Sequence, residues 1–530
     1  MRDMTKGSPG HFFSKLLFHA ILFGASKFSD RTEQLRSDSN DASLGLQFLR
    51  RVEMLLPEAL MVSRITTVQA LLLLACTHFA RGAESAAWLH SGLAFRMAAD
   101  LGLFEDGINL VAQQKMTVEE LELRRRVAWA AYVIDKIHSL YQGRPVSIAA
   151  ANVHVPIHFY DLFEENEYWT PIAYQSASKT NGYGCHVYSV STFTQLCKLT
   201  IIMERIIDAF YSICSPDDTK TNLQRKAERL NRQLLDWYAA LPQHLCMARA
   251  QEAAAAAADT SQKASHAMTA QAKAPNLISL HALFHCLCIL LHRPFLPYGH
   301  LRDVARQEQH PSSSSALVRS AWVACVDAAT QISHLMSLYR NSVTMKGAPQ
   351  LISYINFCAA GIHVRMAAQS GKSPHDTQSQ AAAAARRAVQ ASLQDFEENE
   401  HPNPGVAKAN YVIRRMATHF GVIPMAGGRG RSDKEHDTSS AEAAGAGSDI
   451  GNRSSAVPAR GISPHSAMSH DSFGRQGDSG TRDSAPSMEN FDLDAFLSSF
   501  DESHDISSLI GNIDGVHAVD DIMFGFLKDC

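Results

Sequence analysis

Apolar residues recur at the 3.6-residue spacing of amphipathic helices from residue 11 to about 248. The pattern predicts helices at 11–28, 42–61, 64–80, 84–103, 117–141, 190–213 and 221–240. Glycines and prolines punctuate them at Gly82, Gly102, Gly107, Gly143, Pro145, Pro156, Pro216 and Pro242. No alternating, β-branched run makes a convincing strand. Residues 250–275 are Ala-rich and weakly patterned, and read equally well as an exposed helix or a linker. Helical spacing resumes at 277–292, 316–340, 348–368 and 379–397, with a Ser-rich break at 312–315, and a last helix at 406–420 closes the folded part. The expected fold class is all-α: an antiparallel multi-helix array of about twelve helices, with disordered linkers and a disordered acidic C-terminal tail.

From about 425 to 487 large apolar residues almost vanish among Gly, Ser, Arg, Asp and His. Such a segment buries too little to offset its ordering entropy and is expected to be disordered. The following tail has a different pattern. Leu493, Phe496, Leu497 and Phe500 stand at i, i+3, i+4 and i+7, as do Ile506, Leu509, Ile510 and Ile513. Val519, Ile522, Met523 and Phe526 repeat the spacing, and ten carboxylates among residues 488–530 face one strong base, Lys528. Each block makes one short amphipathic helix, too small to persist alone in water but suited to folding into a partner's groove. The alternative is a terminal helix packed on the main body.

A net charge of -4 argues mildly against a phosphate-neutralising surface. The ten cysteines are scattered, mostly within apolar helical patterns such as Leu-Leu-Ala-Cys76, which reads as reduced core thiols and an intracellular home. Residues 12–24 imitate a secretory signal, but Lys15 and His19 interrupt the apolar run and no clear cleavage site follows. Val68–Phe79 is apolar yet too short to span a bilayer, so no membrane partner is expected.

Three segments carry sequence-specific phrases. In the first, from Trp88 to Leu103, the residues Trp88, Leu89, Gly92, Phe95, Ala99 and Leu103 are read as one helical face, with Arg96 and Asp100 in the same phrase. Gly92 is expected to admit a close helix neighbour, and Gly102 suits a helix C-terminus. In the second, Glu122 and Arg126 stand in the favourable order for an i,i+4 ion pair. Trp129, Tyr132, Val133 and Lys136 share a stripe, Arg125 and Asp135 complete the phrase, and Gly143-Arg144-Pro145 ends the helix. The third runs from His281 to His292-Arg293-Pro294-Phe295.

Together these resemble the middle homology region of the fungal zinc-cluster (Gal4-like, Zn2Cys6) transcription factors. Phe12–Phe28 is similar to that region's first helix, and Trp237–Pro242 to its Trp…Leu-Pro segment. The resemblance implies a regulatory domain over 11–300, a helical continuation of the same folded body over 301–424, a linker over 425–487 and an activation segment over 488–530. It also implies a nuclear regulator of RNA polymerase II transcription of metabolic genes. Coactivator or mediator-type proteins are the expected partners of the tail, and the resemblance admits a homodimer and a small-molecule or protein inducer. No C-x2-C occurs in the 530 residues, so DNA contact and zinc are expected only through a six-cysteine module missing from them, and no cofactor is expected in this chain. A helical scaffold or adaptor without transcriptional output is the alternative.

Other patterns carry less. His281, His285, Cys288 and His292 share one helical face, but four ligands strung over about 16 Å do not fit one tetrahedral ion. Arg124-Arg125-Arg126, set among Glu119, Glu120 and Glu122, reads as a solvated or ion-paired face rather than a nuclear signal or phosphate clamp. Leu223, Ala227, Leu230, Leu234 and Trp237 span barely two heptads, which favours packing within the domain over a coiled coil. No catalytic motif appears, so no enzyme is proposed.

Overall fold

The computed structural model describes residues 12–29, 45–160, 162–169, 185–211, 220–247, 274–296, 311–368 and 377–424. Their architecture is all-α. The first helices are α1 (Lys15–Ala25), α2 (Leu46–Ala59), α3 (Ile65–Ala80), α4 (Glu84–Asp100), the single turn α5 (Ile108–Ala112) and α6 (Val118–Gln142). A two-residue hairpin, β1 (Tyr168–Trp169) with β2 (Cys185–His186), precedes α7 (Ser189–Phe210) and α8 (Lys220–Ala239). Then come α9 (Pro275–His292), α10 (Pro311–Ser342), α11 (Gln350–Ala368), α12 (Thr377–Glu400) and α13 (Ala407–His419).

Local chemistry sets the helix ends. Ser14 caps α1 by accepting the Leu17 N–H at 3.1 Å. Thr117 caps α6 through the Glu120 N–H at 3.1 Å, and Glu119 and Glu120 place negative charge at the positive end of its dipole. Gly102 (φ 62°) and Gly143 (φ 59°) stop α4 and α6 in the left-handed conformation that their missing Cβ permits.

Sequential neighbours pack: α3 on α4, α1 on α2 and α3, α10 on α9 and α11, α12 on α11 and α13. The main core gathers Val68 and Leu71 of α3, Phe95 of α4, Trp129 and Tyr132 of α6 and Val190 of α7. Leu223, Leu230, Leu234 and Trp237 of α8 are buried too, as packing within the domain requires, with Ala227 at the margin. α9 and α11 are long and apolar enough to cross a bilayer, but 67% and 83% of their most apolar stretches are buried inside the body, as core helices are.

Four expectations need correction. Ser312–Ser315 do not break the chain: α10 begins at Pro311, and the serines occupy its first turns. Proline suits a helix's first position because the amide it lacks has no partner there. The short α5 and the β1–β2 hairpin lie where no element was predicted, since two-residue strands carry no periodic signal. The face of α4 is displaced: the buried stripe is Ala87, Ser91, Ala94, Phe95 and Ala98, whereas Leu89 is 66% and Leu93 43% exposed. Gly92 has nothing within 4 Å of the position its Cβ would take, so it admits no close neighbour. The small inward residues Ala87, Ser91 and Ala94 bring α4 close to α3 instead, a face that leucine-weighted periodicity passes over.

Candidate regulatory core

The inner face of α6 places Tyr132, Asp135 and Lys136 entirely out of solvent. Buried charges survive only when paired and hydrogen-bonded. Asp135 accepts the backbone N–H groups of Ser147 (3.0 Å) and Ile148 (2.9 Å). The Lys136 ammonium donates to Asp135 Oδ2 at 2.8 Å and to the Ile148 carbonyl, and stands 3.4 Å from Glu204 Oε2 and 4.2 Å from the Tyr132 ring centre. Glu204, on α7, accepts the Tyr132 hydroxyl and the Ala150 N–H (2.9 Å). Burial, and then Glu204, push the Tyr132 phenol far above its usual range. The same two causes raise the Asp208 carboxyl. This network fixes the loop after Gly143-Arg144-Pro145 between two helices. Arg144 donates its N–H to the Ser139 carbonyl at 3.1 Å, Ser139 Oγ donates to the Pro145 carbonyl at 3.3 Å, and the Arg144 guanidinium lies 5.0 Å from the Trp88 ring. Trp88 is therefore half-buried rather than a core residue, while Trp129 is 4% exposed.

The three consecutive arginines each tie down a different segment. Arg124 donates to the Leu101 carbonyl at 2.6 Å, across the end of α4. Arg125, with its side chain 4% exposed, forks onto Asp106 at 2.8 and 3.0 Å and reaches the His158 carbonyl at 3.2 Å. Arg126 pairs with Glu122 at 2.7 Å, the i,i+4 pair read from sequence, and with Glu164 at 2.8 Å. Planar guanidinium suits such bidentate ties. Two of the three are ion-paired, Arg124 is held by a carbonyl, and the middle member is buried rather than solvated.

In the third segment His281 donates to the Leu245 carbonyl at 2.8 Å and lies edge-on to Tyr238. His292 donates to the Cys288 carbonyl at 2.8 Å. Arg293 and Pro294 form the turn after α9, and Phe295, 2% exposed, packs edge-on against Phe210. Arg96 and Asp100 face solvent on α4. The tail residues Leu493, Phe496, Leu497, Phe500, Ile506, Leu509, Ile510, Ile513, Ile522, Met523 and Phe526 lie outside the described residues.

A second polar core was missed. Arg340 of α10 forks onto Asp395 of α12 at 2.7 and 2.8 Å, and Asn356 of α11 donates to the same carboxylate at 3.2 Å. Burial pushes the Asp395 carboxyl up to about 6, against the pull of Arg340. Asn399 and Asn403 extend the row toward the Ala348 carbonyl, and Lys27, at the end of α1, donates to Asn403 Oδ1 at 3.1 Å. The signal was present: Asp395 and Asn399 stand four residues apart on α12, beside the inward Val389, Leu393 and Phe396, and Asn403 continues the spacing just past its end.

Residues 7–239, from α1 to the end of α8, match the family model described as fungal specific transcription factor domain. This stretch is similar to the fungal specific transcription factor domain. All three arginine ties and the Asp135–Lys136–Glu204 network fall within it. The phrases around Trp88, Trp129 and Gly143-Arg144-Pro145 fall within the matched stretch, while α9 to α13 lie beyond it and pack against it. Among the relatives is the nitrogen assimilation transcription factor nirA of Emericella nidulans, 27% identical over 68% of this chain and 37% of its own length. The nitrogen assimilation transcription factor nit-4 of Neurospora crassa is 27% identical over 68% of this chain and 30% of its own. The activatory protein CHA4 of Saccharomyces cerevisiae is 29% identical over 36% and 28%. The chain thus aligns with about a third of the length of each of these relatives, and they are fungal transcription regulators. No solved structure matches.

Proposed function

We propose that this chain is the regulatory and activating portion of a nuclear factor controlling RNA polymerase II transcription of metabolic genes, nitrogen assimilation foremost. The match of residues 7–239 to the fungal transcription factor domain carries the reading, and the two nitrogen assimilation relatives give it direction. DNA contact belongs to a module outside these residues, because the 530 residues hold no C-x2-C pair with which to build a zinc cluster. The helical body holds a fixed shape through its buried polar cores. Residues 488–530 recruit coactivator or mediator-type proteins by inserting Phe496, Phe500 and their neighbours into grooves.

Fusing residues 1–530 to a foreign DNA-binding domain in a fungal reporter strain tests this. The reading requires reporter output above that of the DNA-binding domain alone, and loss of most of it when 488–530 is deleted. Output equal to background under inducing and non-inducing nitrogen sources contradicts it and favours a scaffold.

A further inference from the structure

Among the described residues, three buried polar atoms lack a hydrogen-bond partner along one seam of the body: Gln142 Oε1, Gln350 Oε1 and His138 Nδ1. Their residues are 8%, 6% and 3% exposed. An unpaired buried polar atom is costly, and native interiors almost always supply it with a protein group, a water or an ion. The three belong to one neighbourhood. His138 and Gln142 stand one turn apart on the same face of α6. Tyr141, between them, accepts a hydrogen bond from Gln350 Nε2 at 3.1 Å through its hydroxyl. Gln142 Nε2 is already engaged with the Glu84 carbonyl at 3.2 Å, and Gln350 Nε2 also faces the Gly405 carbonyl at 3.4 Å. The amide donors are therefore taken and the two amide oxygens left over.

Aromatic rings complete the surroundings. Phe79 lies 4.8 Å from the His138 ring and 4.4 Å from Tyr141, and Tyr354 lies 5.5 Å from Tyr141. Burial holds His138 neutral, with its titration pushed down to about 4, so the imidazole puts no competing cation in the seam. The Glu84 carboxylate is close enough to raise the Tyr141 phenol, and so supplies a balancing negative charge.

We propose that this seam binds an ammonium group, either the free ammonium ion or the head of a primary amine. Spare amide oxygens, a neutral imidazole and aromatic faces are what a four-donor cation uses, through hydrogen bonds and cation–π attraction. Water donates only two hydrogens and gains nothing comparable from the ring faces. The seam joins the matched stretch, which supplies Phe79, Glu84 and α6, to α11 and the turn at Gly405. Occupancy therefore favours the conformation in which these parts are packed together.

The test is thermal unfolding of the full chain in ammonium, methylammonium, potassium and sodium chloride at equal ionic strength. Ammonium at ten times its dissociation constant raises the midpoint by about 1–2 °C over sodium. Gln350→Leu and, separately, Gln142→Met abolish that shift while keeping the helical signal. A methylammonium shift as large as that of ammonium assigns the site to amine heads, and its absence assigns it to the free ion. The proposal is overturned if ammonium does no better than sodium, if potassium, equal in size but without hydrogens, matches it, or if both variants keep the shift. The readout is binding alone, so its failure leaves the transcriptional reading untouched.

Discussion

Gly405 lies so close to Gly82 that a Cβ on Gly405 would stand 2.9 Å from the Gly82 nitrogen and 2.9 Å from the Phe79 carbonyl oxygen. The obstructing atoms are backbone and cannot swing aside. This contact seats the turn before α13 on the α3–α4 corner. Gly405→Ala is expected to cost about 1–3 kcal/mol by overpacking. Urea unfolding of the full chain measures it, and an unchanged midpoint means the C-terminal helices are not seated this way.

Lys136 lies between two buried carboxylates, Asp135 and Glu204. Removing one member of such a set leaves uncompensated charge, so Lys136→Met is expected to lose about 3–5 kcal/mol. Adding Glu204→Gln to that variant removes one of the stranded charges and should recover part of the loss. A single variant within about 1 kcal/mol of the parent would deny the network its role in holding the Ser147–Ala150 loop.

Gly92 is in a helix interior with open space around it. Gly92→Ala is therefore expected to stabilise the protein by about 0.5–1 kcal/mol through the helix preference of alanine. A loss of stability in calorimetry would place a packed neighbour at this face after all.

The histidines set an acid limit. Burial pushes His138 and His363, each 3% exposed, down to about 4. Between pH 6.5 and 4 the unfolded chain binds their protons and the folded chain does not, so their contribution is complete above pH 6.5 and is lost as pH falls toward 4. Each contributes up to about 3 kcal/mol. Asp395, raised to about 6, and Asp208, also raised, work in the opposite direction, but they are outweighed by His138 and His363 together with His78 and His285, which burial also holds down to about 4. Urea midpoints should fall between pH 7 and pH 5, and His363→Gln should flatten that slope. A midpoint that rises on acidification contradicts the assignment.

Helix positions were legible because apolar residues at 3.6 spacing dominate burial, and Gly102 and Gly143 marked helix ends that only glycine enters easily. What α4 buries was only partly legible: Phe95 was read inward and is buried, but most of the stripe was not. Its small inward residues Ala87, Ser91, Ala94 and Ala98 rank in hydrophobicity below the outward Leu89 and Leu93. The triple-arginine run showed its charge but not its partners: Asp106 and the His158 carbonyl are 19 and 33 residues from Arg125, a separation that local pattern does not encode. The seam at Gln142 and Gln350 brings together groups over 200 residues apart.

Under the proposed function, the apolar tail residues carry transcriptional output and the carboxylates serve solubility and encounter. The most direct measurement compares reporter output of the DNA-tethered full chain, at matched protein level, with that of two variants. Phe496→Ala with Phe500→Ala should remove most of the output, whereas Asp494→Asn with Asp501→Asn should reduce it only partly. A double-alanine variant that activates as well as the parent chain contradicts the account.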